Sequence, residues 1–402
     1  MKLNKESIKN YLINIWIPSA NEVIFLHNLR ILAVIMVIAL HVFNVPKDYF
    51  QSKILSIISK NFEFATDILF VLAGFFAANF FYQKEITKKI IIKFYIQKIL
   101  KILPIYIFTF FVYYHFISIE YNKLLKISQI HNSTEIELLL NLFKTKLSYF
   151  WGDLLFLSNY MPGRIINVGW NISAIVQYFL VVPWLFLLVQ YLRVSKFLYW
   201  VVIYLIITTI RFMYYINHID LEKIYFYSHT RFDSFIIGIL IKEVLEDGYF
   251  RQKWNSIFKE KKLQILIFLY FFVSFYLIFV FYDPEFLFWD YFLKYNYNNL
   301  FLFIFIVYIS FVEKEKFLYK IFNIPYFTFF SKISYTVFLL HEYFAILLTK
   351  NFSFTFGTKI DVFIFFIILL ILSIILGYAF YLIFEQPFLI IKKKSRIEKN
   401  YL

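Results

Sequence analysis

Long apolar runs, each near the ~20 residues that a helix needs to cross a bilayer, alternate along the chain with short polar clusters. Ten such runs stand out, at residues 24–43, 64–82, 99–119, 171–192, 197–215, 225–245, 263–282, 297–313, 327–349 and 361–386. The sixth is interrupted by Arg231 and Asp233, and the eighth is short. The pattern predicts an all-α fold: a polytopic integral membrane helical bundle of about ten transmembrane helices. Between the third and fourth runs lies the longest loop, 120–170, whose second half is aromatic and is expected to lie against the membrane face.

Composition narrows the class. Of 402 residues, 61% are apolar, 24% are aromatic and 17% are charged, and the mean hydropathy is +0.68. A water-soluble globule of this size could not hide so much apolar surface. A cytosolic enzyme, a disordered chain and a secreted disulfide scaffold are therefore excluded. With no Cys there is no thiol nucleophile and no thiolate metal site. The net charge of +15 would suit nucleic acid only with a soluble basic domain, and none is evident. Instead the cations follow topology. With the N-terminus inside, the inner segments hold 25 Lys and Arg against 12 in the outer ones. That bias places both termini in the cytoplasm. Three parts are expected: an N-terminal cytoplasmic and interfacial segment (1–23), a membrane domain (24–390) and a basic cytoplasmic tail (391–402).

Ionisable side chains inside a bilayer mark functional sites by default. Arg30 and His41 stand eleven residues apart on the first run, so an α-helix puts both on one face, about 16 Å apart along its axis. A snorkelling Arg with a packed His is the plainer reading of that pair. Asp67 begins the second run at about the depth of His41, either beside the imidazole or solvated at the loop edge. Lys98 and Lys101 sit on adjacent turns at the cytoplasmic mouth of the third run, where they could hold phosphates. Arg231 and Asp233 precede Gly238, a residue that permits close helix approach. His341 and Glu342 lie in the outer half of the ninth run. His41, Asp67, Arg231, Asp233 and His341 thus share one depth, which predicts a shared polar cavity.

These residues resemble motifs of membrane-bound acyltransferase family 3, the bacterial O-acyltransferases of surface glycans. Arg30 and His41 match its first-helix signature of Arg, ten residues and His. TDILFVLAGF (66–75), QKILKILPIY (97–106), RFDSFIIG (231–238), SYTVFLLH (334–341) and FEQP (384–387) follow in the family's order. Two departures stand out. The basic positions before Pro104 are Lys98 and Lys101 instead of Arg, which keeps the charge and loses the bidentate fork. The family's WSLSVEEQFY appears as WNISAIVQYF (170–179), retaining Trp170, Ser173 and Gln177 while Ile175 and Val176 replace its Glu pair.

The resemblance implies transfer of an acyl group, most often acetyl, from acetyl-CoA in the cytoplasm to a hydroxyl of a cell-surface or lipid-linked glycan, in a bacterial inner membrane. Arg30, Lys98 and Lys101 are the expected CoA contacts. His41 is expected as base or transient acyl carrier, with Asp67 orienting it and Arg231 stabilising the oxyanion. Asp233, His341, Trp170 and Gln177 are the expected substrate contacts. The sequence shows no metal-ligand spacing, so no metal is expected. Membrane lipids are expected partners and nucleic acid is not. A transporter of lipid-linked sugars and a non-catalytic member of the fold are the alternatives.

Overall fold

The computed structural model describes residues 24–43, 53–82, 84–130, 133–281, 285–311, 317–324, 327–351 and 359–387. The N-terminal segment 1–23 and the basic tail 391–402 expected from the sequence lie outside them. Every regular element among the described residues is helical. Ten long helices correspond to the ten apolar runs: α1 (Ile24–Phe43), α2 (Phe64–Phe81), α3 (Lys88–Ser128), α4 (Gly169–Leu192), α5 (Lys196–Ile216), α6 (Ser228–Glu246), α7 (Lys261–Phe279), α8 (Lys294–Phe311), α9 (Thr328–Asn351) and α10 (Lys359–Phe380). The protein is a polytopic helical membrane protein. Eight of its helical stretches are long and apolar enough to span a bilayer. The other two, α6 and α9, are comparably long but more polar. The residues that lower their apolarity include Arg231, Asp233, His341 and Glu342.

The 120–170 stretch, expected as a loop, is more regular than its sequence suggests. α3 runs for 41 residues, about 62 Å, twice the hydrocarbon thickness of a bilayer. Its start is capped by Thr87, whose hydroxyl accepts from the Ile90 N–H. A further helix, Thr134–Ser148, begins at Ser133, which accepts from the Ile136 N–H, and carries Glu135 and Glu137 in its first turn. None of its residues is buried. Long apolar runs made the spans plain, whereas these solvated turns alternate polar and apolar residues and read as loop.

The described chain divides into two compact units. The first takes residues up to Asn79, then 195–208 and 233–378; the second takes 80–194, 209–232 and the chain from Ala379. In the first unit α1 packs along α9. There α2 and α6 approach backbone to backbone through two glycines. A Cβ on Gly74 would fall 1.9 Å from the Phe235 carbonyl oxygen, and one on Gly238 would fall 2.0 Å from that of Val71. No other residue fits either position without a helix shift. Close approach through small residues is how helices associate where lipid removes the hydrophobic drive between them.

In the second unit, the stretch that follows α3 folds around Asp153, which is fully buried. Its Oδ2 accepts from the Ile165 N–H at 2.7 Å, and its Oδ1 lies 3.4 Å from the Tyr106 hydroxyl, which also donates to the Asp153 carbonyl at 3.1 Å. Arg164 Nε donates to Ser158 O at 3.1 Å, and its guanidinium lies over the Phe226 ring. Arg211, buried near the end of α5, donates to Thr230 O at 3.0 Å.

Two predictions follow from these contacts. Gly74→Val or Gly238→Val should destabilise the first unit by about 3 kcal/mol through overpacking, seen as a lower thermal transition and less monodisperse protein in detergent. Burial raises the Asp153 carboxyl from 3.8 to about 6, against the opposing pull of its hydrogen bonds and Arg164. The folded state therefore binds this proton more tightly than the unfolded chain. The stabilisation is complete below pH 3.8 and is lost as pH rises through about 6. Hydrogen exchange of residues 150–165 should show protection falling between pH 5 and pH 7, and Asp153→Asn should flatten that change.

Candidate active site

Unpaired charge cannot be buried cheaply in an apolar bundle, so the partners of each ionisable group define the site. In the first unit, α1 carries His41 on its last turn and α9 carries His341 and Glu342 in mid-helix. Packing of α1 along α9 brings the three together. The two imidazole rings lie 5.3 Å apart between centroids, tilted by 44°. His41 Nδ1 lies 3.4 Å from Glu342 Oε1. The His41 side chain is 39% exposed and that of Glu342 is 11% exposed, so this pair has access from one side.

His341 is buried. Its Nδ1 lies 2.7 Å from the carbonyl oxygen of Phe338. A carbonyl only accepts, so Nδ1 carries the proton and Nε2 carries the lone pair. Among the described residues, that buried Nε2 and the buried Glu342 Oε2 have no hydrogen-bond partner. The carboxylate set against His41 is therefore Glu342, to which the sequence reading gave no role. Sequence spacing shows no metal cluster, yet folding gathers potential ligand atoms of His41, His341 and Glu342 to within 4.8 Å of one another. Three hundred residues separate the first of these residues from the others, which is why spacing could not reveal the group.

Asp67 and Asp233 are held by the same helix. Asp67, in the first turn of α2, accepts from Asn298 Nδ2 at 2.8 Å and from Ser234 Oγ at 3.1 Å. Asp233 accepts from Asn299 Nδ2 at 2.6 Å. Both carboxylates and both asparagines are buried. The adjacent amides of α8 thus serve carboxylates of α2 and α6. Asn298 and Asn299 were missed in the sequence, although the polar KYNYNN that weakens the eighth run was the available signal.

Below the histidine pair in chain position, α1, α9, α10 and the short helix Phe317–Phe322 line a half-open apolar cavity of about 350 Å³. Ile31 and Ile35 of α1 and Phe330, Ser334 and Val337 of α9 line it. Arg30 of α1 rests its guanidinium 5.0 Å from the Phe76 ring centroid. Asn28 Nδ2 donates to Phe322 O at 2.8 Å and ties that short helix to α1.

The second unit places the remaining candidates among aromatics. Lys98 Nζ stands 3.8 Å from the Phe179 ring centroid and 5.0 Å from that of Phe94. Lys101 is half-buried. Trp170 packs on Tyr225 and Phe226, and buried Arg231 lies 5.3 Å from the centre of the Tyr225 ring. Gln177 is engaged on both sides of its amide: Nε2 donates to Phe156 O and Asn159 Oδ1, and Oε1 accepts from the Ser228 hydroxyl. These bonds stitch the 156–160 turn to the start of α6.

The family model described as an acyltransferase domain, that of acyltransferase family 3, matches residues 23–382. No curated protein and no solved structure matches the chain significantly.

Asn298→Leu or Asn299→Leu withdraws a donor from a buried carboxylate and should cost about 1–3 kcal/mol. The loss is measurable as a lower melting transition of the solubilised protein. Unchanged melting in both variants would show that the two amides are dispensable.

Proposed function

The chain belongs to membrane-bound acyltransferase family 3, and from that premise we propose an O-acyltransferase that moves an acyl group, acetyl first among the candidates, from cytoplasmic acyl-CoA to a hydroxyl of a surface or lipid-linked glycan. Its setting would be a bacterial inner membrane. One observation carries the reading: the partly open His41 ring is set against the Glu342 carboxylate, with His341 beside it.

In this mechanism Glu342 holds the Nδ1–H tautomer of His41, so Nε2 faces the acceptor as general base. His41 Nε2 takes the hydroxyl proton as the sugar oxygen attacks the thioester carbonyl. The C–O bond forms, the C–S bond breaks, and the departing thiolate takes the proton back from the imidazolium. His41 can instead take the acyl group first and pass it to the acceptor. The lone pair on His341 Nε2 offers an acceptor for a second hydroxyl of the same sugar.

Support for the donor comes from the cations and from the cavity. Lys98 and Lys101 bring charge for CoA phosphates to the cytoplasmic end of α3. The cavity positions Ile35 and Val337 stand about 9 Å and 6 Å along their helices from His41 and His341. An apolar cavity this near along the helices supports reading it as the berth of the acyl chain. Asp67 and Asp233 then act as buried anchors that fix α2 and α6 relative to α8.

His41→Ala should lower glycan acylation at least about 100-fold at equal protein level in membranes, as expected for loss of a general base. Glu342→Gln should lower kcat while leaving the acyl-CoA KM unchanged. Mass spectrometry of surface glycans is the readout. Acylation within a few-fold of wild type in His41→Ala would remove the residue from catalysis.

A further inference from the structure

His341 and Glu342 carry more donor capacity than the base mechanism uses. His341 Nδ1 is committed to the Phe338 carbonyl, so its lone pair sits at Nε2, buried and without a hydrogen-bond partner among the described residues. Glu342 Oε2 is buried in the same condition. A protein rarely leaves two acceptors in this state in a water-poor interior. Both are acceptors, so neither can satisfy the other. What satisfies two such groups at once is a cation or a multiple donor.

The geometry favours a cation. Two imidazoles and one carboxylate form a three-residue donor set of the kind that binds zinc with a position left open. Nitrogen and oxygen donors of this type suit zinc, cobalt or nickel better than calcium or magnesium. An imidazole that donates its other N–H to a backbone carbonyl, as His341 does, has the outer contact usual for a metal ligand. Tetrahedral ligands at about 2.1 Å from an ion stand about 3.4 Å from one another. His41 Nδ1 and Glu342 Oε1 already have that separation, 3.4 Å. The widest separation in the set is within 4.8 Å, and rotation of His41, its most exposed member, can close it.

We propose that His41, His341 and Glu342 form a binding site for one divalent ion of the zinc class, and that filling it silences acyl transfer. The inference rests on the general-base reading for its second half only. An ion held by Nδ1 and by Glu342 takes from His41 the carboxylate that orients it and that stabilises its protonated form. Metal and base catalysis therefore compete for the same three side chains.

The test uses the full chain purified in detergent, freed of its affinity tag and stripped with a chelator. Zinc chloride is titrated in, and bound zinc is measured by elemental analysis after desalting. One zinc per chain is expected, with at least a tenfold weaker Kd in His341→Ala and in Glu342→Gln. Cobalt chloride added to the wild type should give the intense visible absorption of a four- or five-coordinate site, a readout that needs no variant. Zinc should inhibit acyl transfer with a midpoint equal to its Kd, and chelator should restore the rate. No bound zinc, binding undiminished in the triple variant His41→Ala, His341→Ala, Glu342→Gln, or a cobalt spectrum of six-coordinate type would overturn the site. Zinc that binds at the three residues and accelerates transfer would overturn the competition. A chain that binds zinc there and transfers no acyl group would keep the site and reject the enzymatic reading.

Discussion

Burying carboxylates in an apolar bundle is the constraint from which the rest of the first unit follows. Asp67 and Asp233 lie on different helices, and neither can be buried away from water without hydrogen-bond donors. Two adjacent asparagines on α8 supply them. That arrangement requires α2 and α6 to come unusually near one another, which only glycine at 74 and 238 allows. Carboxylates, amides and glycines are thus one device. It locks three helices together by hydrogen bonds in a solvent that offers no hydrophobic drive for helix association.

The histidine pair depends on a different principle. α1 and α9 pack along one another, with His27 Nδ1 3.0 Å from Ser331 Oγ near their starts and the two histidines with Glu342 further along. His341 is fully enclosed and its tautomer is fixed by its own helix. His41 is half open. One ring is therefore enclosed while its neighbour stays partly exposed. This asymmetry suits a site that must hold a small group in place and exchange it.

Much of this was legible in the chain. Long apolar runs revealed the ten long helices among the described residues, eight of them long and apolar enough to span a bilayer. Gly238 was readable as a close-approach residue, and its partner Gly74 stood within a quoted motif. His41 and His341 could be singled out because charge inside an apolar run has few innocent explanations. The pairings were not legible. Glu342 meets His41 across 301 positions of chain, and Asn298 meets Asp67 across 231. Neither follows from periodicity, which reports a residue's face and depth but not the helix opposite. The helix Thr134–Ser148 was missed although Ile136, Leu140, Phe143 and Leu147 form a half-buried apolar stripe, because it is shorter than a bilayer span and none of its residues is fully buried.

The Gly74–Gly238 crossing has one further consequence. Two rods keyed at their glycines and tied again by the Ser234–Asp67 hydrogen bond can exchange their lipid-facing side chains while those contacts hold. Drift along α2 and α6 is thereby uncoupled from the spacing of the acids they carry. A lineage can re-dress the exterior of this bundle for a new membrane without disturbing the ruler at its centre.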